Sequence, residues 1–376
     1  MKSLFCAYSH SQQSTFQQRN SVMIKDIHIQ NYRGIKDLKI KDFKRINLLV
    51  GDNNSGKTSV LEAIGLSSNY NITGVVAFES FRESGRLSQI QVFDPKLWSN
   101  FEYLFHEKSF SEGFKISLSI KNEASESEDN ITLKCILSKE VGKFLGTPVV
   151  AVIDQNQNNS LIAEYTENEK NPVVLGYSRD GTSNQISGAR IFVGVSLIST
   201  VTPSPEELMA MMKKVVEKND EVLFSKIAQV IDPKIKNIKT AGDEIYADIG
   251  KISVPLKYMG DGLRKVLNII LKIRELKNGI LLIDEIENGL HWKTQTILWR
   301  AVIAAAVENN VQIIAATHSR DTIKALSEVY EEEKSLLDED EIRLFKIKKD
   351  SEGLHHSLRY NSDMTMHVVE DEREVR

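Results

Sequence analysis

The stretch INLLVGDNNSGKTSVLEAI, residues 46–64, decides the fold. An apolar run from Ile46 to Val50 ends at Gly51. Gly56, Lys57 and Thr58 follow at the spacing GxxxxGK(S/T), and Val60, Leu61, Ala63 and Ile64 continue at helical intervals. A strand, a glycine-led loop and a helix in that order are the setting of a phosphate-binding loop. Gly51 and Gly56 free the backbone to turn. Successive N–H groups from Asp52, Asn53, Asn54, Ser55 and Gly56 through Ser59 are then expected to point at one anion, at the positive end of the helix. Lys57 supplies a mobile charge for the β- and γ-phosphates of a nucleotide, and the Thr58 hydroxyl a ligand for Mg2+.

Two later runs end in residues that such a loop needs. GILLIDEIENGLHW, residues 279–292, is an apolar strand closing in Asp284 and Glu285. Asp284 is expected to hold Mg2+ through its water shell, and Glu285 to polarise the attacking water as catalytic base. In VQIIAATHS, residues 311–319, another strand ends in Thr317 and His318, which puts an imidazole at the same edge, able to donate to a γ-phosphate. LKYMGDGLRKVLNIILKIREL, residues 256–276, reads as a helix led by Gly260 and Gly262, with Leu263, Val266, Leu267, Ile270 and Leu271 on its apolar face and its N-terminus open to an anion.

Around these motifs the pattern is less uniform. Residues 1–22, Ser/Gln-rich and without a period, are expected to be a disordered extension. From Met23, Ile27 and Ile29, then Leu38 and Ile40, alternate with polar residues on either side of NYRGI, which predicts an antiparallel pair. Gln91 to His106 reads as an amphipathic helix whose aromatics serve the core. Short strands are expected at 115–120, 131–137, 149–153, 161–165, 173–177 and 190–195, with polar turns at 123–130 and 155–159, forming a β-rich lobe or insertion. Residues 204–231 read as helical. From Ile342 a closing strand and a short helix are expected. Asp338, Glu339 and Asp340 lie in an acidic run that no apolar strand feeds, and the His355–His356 pair is too isolated for a metal site.

Composition bounds the class. The 376 residues are 41% hydrophobic and 27% charged, enough for a large core, and the net charge of −4 says nothing of a local basic groove. Two cysteines, Cys6 and Cys135, are too few for a disulfide framework and point to a cytoplasmic location. No run is long and apolar enough to cross a bilayer, and no membrane association is expected.

Phosphate loop, glycine-led helix, Asp-Glu strand and terminal His, in this order, resemble the ATP-binding-cassette ATPases. More narrowly, NYRGI, GDNNSGKTS, MGDGLRK, IDEIENGLH and ATHS look like the OLD (overcoming lysogenization defect) and RecF-type branch. The resemblance implies an α/β P-loop NTPase of the ABC-ATPase head type, with a mixed central sheet, helices and a β-rich lobe. The resemblance covers Met23 to about Ile323 at its ends, the β-rich middle matching only in character; the ATPase domain is expected at 23–330, with a β-rich insertion and helical part at about 95–250, and 331–376 as a tail completing it. It also implies a head-to-head homodimer around two ATP molecules with Mg2+, each nucleotide lying between Lys57 of one copy and the Gly260–Gly262 helix of the other. Arg33, in the NYRGI turn, joins the nucleotide-binding set.

The sequence departs from the family pattern in two places. Gly260 stands where many cassettes carry a serine, and His291 where transport cassettes carry an aspartate. Gln89 and Gln91 are the candidates for the glutamine lid. Long heptads, which SMC-type relatives need, are absent, and so is a Toprim nuclease pattern. The reading that follows is an ATPase whose hydrolysis gates a separately encoded effector, such as a nuclease or toxin of a phage-defence system. The alternatives are a RecF-like repair ATPase that clamps DNA, and a nucleotide-sensing scaffold with very slow hydrolysis.

Overall fold

The computed structural model describes residues 22–68, 102–108, 110, 112–122, 127–138, 160–168, 170–178, 183–185, 194–198, 205–217, 221–332, 337 and 340–362. Alternation sets its outer sheet. In β1 (Val22–Tyr32) Ile27 and Ile29 are buried, and in β2 (Ile35–Lys41) Ile35, Leu38 and Ile40 turn inward while Lys36, Lys39 and Lys41 face solvent. The two pair antiparallel, with Ile27 opposite Ile40 and Ile29 opposite Leu38.

The β-rich middle extends this same hairpin. β4 (Phe114–Asn122) pairs with β1, and β5 (Ser127–Ser138), β6 (Ser160–Glu167), β7 (Lys170–Ser178) and β8 (Ser183–Gln185) follow, giving a seven-stranded antiparallel sheet in the order β2-β1-β4-β5-β6-β7-β8. The polar stretch 123–130 is shorter as a turn than its composition suggests. Ser127 to Asn130 already belong to β5, because Asn122 to Ser119 offer them cross-strand partners. The helix expected to reach His106 is not present in its described part. Glu102–Leu104 and His106–Lys108 are separate 3-10 turns, and Phe105 between them bridges to Tyr32. The runs at 91–101, 149–153, 155–159 and 190–193 lie outside the described residues, as does the N-terminal extension up to 21.

A second sheet carries the loop. β3 (Ile46–Val50) lies between β14 (Gln312–Ala316) and β15 (Ile342–Lys349), with β13 (Ile280–Ile283) and β9 (Val195–Ile198) beyond β14, all parallel; β16 (His355–Tyr360) adds an antiparallel edge. Strands covered on both faces need apolar residues throughout, and β3, β13 and β14 are buried at every position. Leu49, Leu282 and Ile314 face α1 (Lys57–Ser68) and the seven-stranded sheet. Leu48, Leu281 and Ile313 face the opposite layer. That layer holds α2 (Pro205–Glu217), α3 (Glu221–Ile231), α4 (Asp261–Leu276), α5 (Trp292–Asn309) and α6 (Arg320–Glu332). A small antiparallel sheet, β10 (Asn237–Ala241), β11 (Glu244–Asp248) and β12 (Ser253–Pro255), follows α3. Among the described residues no helix is long and apolar enough to cross a membrane.

The closing strand expected from Ile342 is β15; a second strand not foreseen follows it, and the rest of the tail, 363–376, lies outside the described residues. β15 turns at Asp350, whose Oδ1 accepts from the backbone N–H of Glu352 and Leu354 at 2.9 Å each, and returns as a second strand, β16. β15 is fixed inside the sheet by Ile342, Leu344, Phe345 and Ile347, all at most 1% exposed. Burial of this kind contributes roughly 1.5–3 kcal/mol per side chain. Arg343, buried beside them, pairs with Asp42 at 2.8 Å and with Asp340, and holds the Asp42 carboxyl below the usual range. Asp340 is therefore a structural anion. Two layers of helix and two sheets around a P-loop strand are the fold of the P-loop ATPases, as the loop's context predicts.

Candidate active site at the phosphate loop

Gly51 leaves β3 at φ 142° and Gly56 enters α1 at φ 98°, conformations that side chains oppose. At Gly51 space forbids one as well, since a Cβ would lie 2.4 Å from the Ile347 carbonyl oxygen of β15. Between them Asn54 is left-handed (φ 63°), and the Ser55 N–H closes a turn onto the Asp52 carbonyl at 3.2 Å. The Ser55 hydroxyl is buried without a hydrogen-bond partner among the described residues. Lys57 Nζ donates to the Gly51 and Asp52 carbonyls, both at 2.8 Å, so its charge is held over the loop by neutral oxygens. Burial lowers its pKa, against the pull of Asp284, Asp52, Glu287 and Glu285. An anionic ligand would offer that ammonium a stronger partner than two carbonyls.

The loop opens on a cleft of about 540 Å³ whose lining includes Asn53 to Ser59, Asp284, Glu285, Thr317 and His318. Thr58 Oγ1 donates to Asp284 Oδ2 at 3.0 Å, so the two residues expected to serve Mg2+ stand together. Among the described residues no group of three or more His, Cys, Asp or Glu could hold a metal alone. Two hard oxygen donors fit Mg2+, which takes its other ligands from water and phosphate.

Glu285 follows in the left-handed region (φ 43°), uncommon for a residue with a Cβ and typical of functional sites. Four hydrogen bonds hold it there. Its N–H reaches Asp284 Oδ1 at 3.1 Å, and its carbonyl accepts from Asn288 N at 2.9 Å and from Lys265 Nζ at 2.6 Å; the next N–H, of Ile286, binds the Ala316 carbonyl at 3.1 Å. Lys265 is a buried lysine on α4, and burial brings its pKa down to about 8 despite Glu287, Glu285 and Asp284. Glu287 is buried too. Its Oε1 accepts from the His318 backbone N–H at 3.1 Å and lies 3.1 Å from the ring Nδ1, while its Oε2 has no hydrogen-bond partner among the described residues. The exposed His318 ring lines the cleft beside Glu287, placed to donate to a phosphate.

Most of the residues singled out in the sequence therefore meet in one cleft; Gly51 and Asp52 hold Lys57 from just outside its lining, and Arg33, Gly260 and Gly262 are not in it. Arg33 is withheld from it by an ion pair with the buried Glu62, at 2.6 Å, and its neighbours Gly34 and Ile35 line the cleft instead. Gly260 and Gly262, at the start of α4, are not part of the lining, and Gly260 caps the helix without a side-chain bond. His291 caps α5, its ring accepting from the Lys293 N–H at 3.3 Å. Gln89 and Gln91 lie outside the described residues. Sequence reasoning missed Lys265, Glu287, Lys349 and His355. A buried-face position in α4 could have flagged Lys265; the other three needed the tertiary arrangement.

Comparison with known proteins agrees with this geometry. A family model described as an AAA ATPase domain (AAA_15) matches residues 23–175 and 184–323. An ATP/GTP phosphatase of Helicobacter pylori is 25% identical over 369 residues, covering 93% of this chain and 99% of its own. The Smc head domain from Pyrococcus furiosus, solved with an extended coiled coil and bound to the C-terminal domain of ScpA, superposes with a TM-score of 0.52 at 12% identity, covering 94% of this chain and 100% of its own. A phosphate loop, acid-tipped strand and terminal histidine brought to one cleft, in a chain whose family match covers most of its length, have one reading: the protein belongs to the AAA_15 family of AAA ATPase domains.

Proposed function

We propose that this ATPase hydrolyses ATP between two copies of itself and uses the cycle to gate a separately encoded effector. The observation that carries the hydrolytic part is the junction of Thr58, Asp284 and Glu285 at one end of the phosphate cleft. Lys57 would leave the Gly51 and Asp52 carbonyls for the β- and γ-phosphates. Thr58 and Asp284 would hold Mg2+, which when bound neutralises developing phosphate charge. Glu285, fixed by its backbone bonds, would orient the attacking water, and His318 would hold the terminal phosphate. The Helicobacter relative named as an ATP/GTP phosphatase supports hydrolysis of a nucleoside triphosphate.

The dimer rests on a different feature. The helix end at Gly260 lies outside this copy's own cleft, so an anion reaching it would come from a partner's site. Gating of an effector, in the manner of the OLD-type proteins that the motifs resemble, is the use we assign to that closure.

Glu285→Gln tests the assignment. The variant keeps shape and hydrogen bonding but loses the charge that activates water. Turnover should fall on the order of a hundredfold or more, about 3 kcal/mol in the transition state, with ATP affinity nearly unchanged. Light scattering should then show an ATP-stabilised dimer. Wild-type turnover would remove Glu285 from catalysis, and an inactive variant that stays monomeric with ATP would remove the sandwich. DNA-stimulated turnover with a steep salt dependence would replace the effector by a DNA clamp.

A further inference from the structure

Two cleft residues have no role in this chemistry, and both come from the hairpin of β15 and β16. Lys349 ends β15 and His355 begins β16; they face each other across the strand pair and both line the cleft. His355 is only 5% exposed, and its Nδ1 is wholly buried with no hydrogen-bond partner among the described residues. The ring edge at Cδ2 comes within 3.4 Å of where a side chain on Gly56 would begin, so the imidazole stands against the phosphate loop itself. Lys349 is exposed at the rim.

Topology says which part of a nucleotide these groups would meet. Asp284 and Thr317 follow β13 and β14, on one side of β3, and the Thr58–Asp284 bond marks that side as the metal and terminal-phosphate end. β15 and β16 lie on the other side of β3. A triphosphate directed from the loop toward Asp284 therefore leaves its sugar and base on the side of the hairpin and of the Gly34–Ile35 turn. Burial, with the nearby Lys349, His106 and His356 charges, lowers the His355 pKa and keeps the ring neutral, with one N–H and one lone pair. A neutral imidazole is matched to a sugar hydroxyl or a base edge better than to phosphate.

We infer that the C-terminal hairpin is the nucleoside-recognition wall of this site, with His355 contacting the sugar or base and Lys349 the rim beside it. The inference rests on nucleotide binding at the phosphate loop. Titration calorimetry with ATP, GTP and inorganic tripolyphosphate, each with Mg2+, separates the two. His355→Leu and Lys349→Ala should each weaken ATP about five- to tenfold, the loss of one hydrogen bond or contact, and leave tripolyphosphate unchanged. A changed ATP-to-GTP ratio in His355→Leu would place the contact on the base, and an equal loss for both would place it on the sugar.

Equal weakening of ATP and tripolyphosphate would make the hairpin a mere support for the loop and overturn the inference, as would unchanged ATP affinity in both variants. Failure of the wild-type chain to bind either ligand would instead remove the phosphate-loop reading on which the inference stands. Lys349→Ala changes an exposed side chain, so it remains informative should His355→Leu fail to fold.

Discussion

A lysine buried on α4 and aimed at the carbonyl of Glu285 has a signature that titration can read. The folded pKa of Lys265 is about 8 against an ordinary 10.5, so between these values the unfolded chain binds the extra proton. Stability from this group therefore rises with pH through that window, by an amount on the order of 3 kcal/mol. Chemical melts of wild type and Lys265→Met, below pH 8 and near 10.5, should show the wild type gaining relative to the variant. Parallel shifts in both would mean that the lysine is not desolvated. The same variant frees the Glu285 carbonyl and should lower turnover about tenfold while ATP affinity holds, since the affected backbone positions water and not nucleotide. At this scale the sequence was informative where chemistry follows from neighbours in the chain. Lys57, Thr58, Asp284 and Glu285 were legible because a motif fixes their surroundings within a few residues. Glu287 was not, because its partner His318 comes after another strand, β14, and neither was the ion pair of Arg33 with Glu62 of α1, which lies far from it in sequence.

Among the elements, α4 offers the sharpest test of the dimer. A Cβ at Gly262 would lie 2.9 Å from Leu290 Cδ2 and 3.0 Å from the Gly289 carbonyl, so a side chain there would disturb the protein's own turn before any partner arrived. At Gly260 the space is open. Gly260→Glu should therefore fold and bind ATP like the wild type, yet lose ATP-dependent dimerisation and turnover. Gly262→Glu should lose thermal stability as well. Scattering and melting curves on the two variants distinguish these effects, and a fully active Gly260→Glu monomer would reject an α4-mediated sandwich. Strands and helices next to a motif were readable from periodicity, as with β3, β13, β14 and α4. What periodicity does not carry is adjacency. Nothing in the spacing of Lys115 to Ile120 says that this strand joins β1 in one sheet, and residues 350–360 read as a tail because a polar turn and short alternation resemble a chain end.

For the molecule as a whole, β15 is the piece whose removal should cost most. Ending the chain after Glu332 would expose one entire edge of β3 and leave the Gly51 turn without the Ile347 carbonyl behind it. Open edges of fully apolar strands pair with other chains. The truncated protein is expected to be insoluble, or soluble without ATP affinity; soluble yield and ATP binding measure this, and a soluble product with normal affinity would show β15 to be dispensable.

The position of β3 in its sheet also sets a timetable. Its residues, 46–50, leave the ribosome early, but the strands on either side of it are made from residues 312–316 and 342–349. At roughly 5–20 residues per second, the wait is on the order of ten seconds or more. During it the nascent chain carries an apolar strand with both edges unmated, a natural client for a chaperone. Nucleotide should give little help in that interval, because the Gly51 turn has no Ile347 carbonyl behind it until β15 has been released.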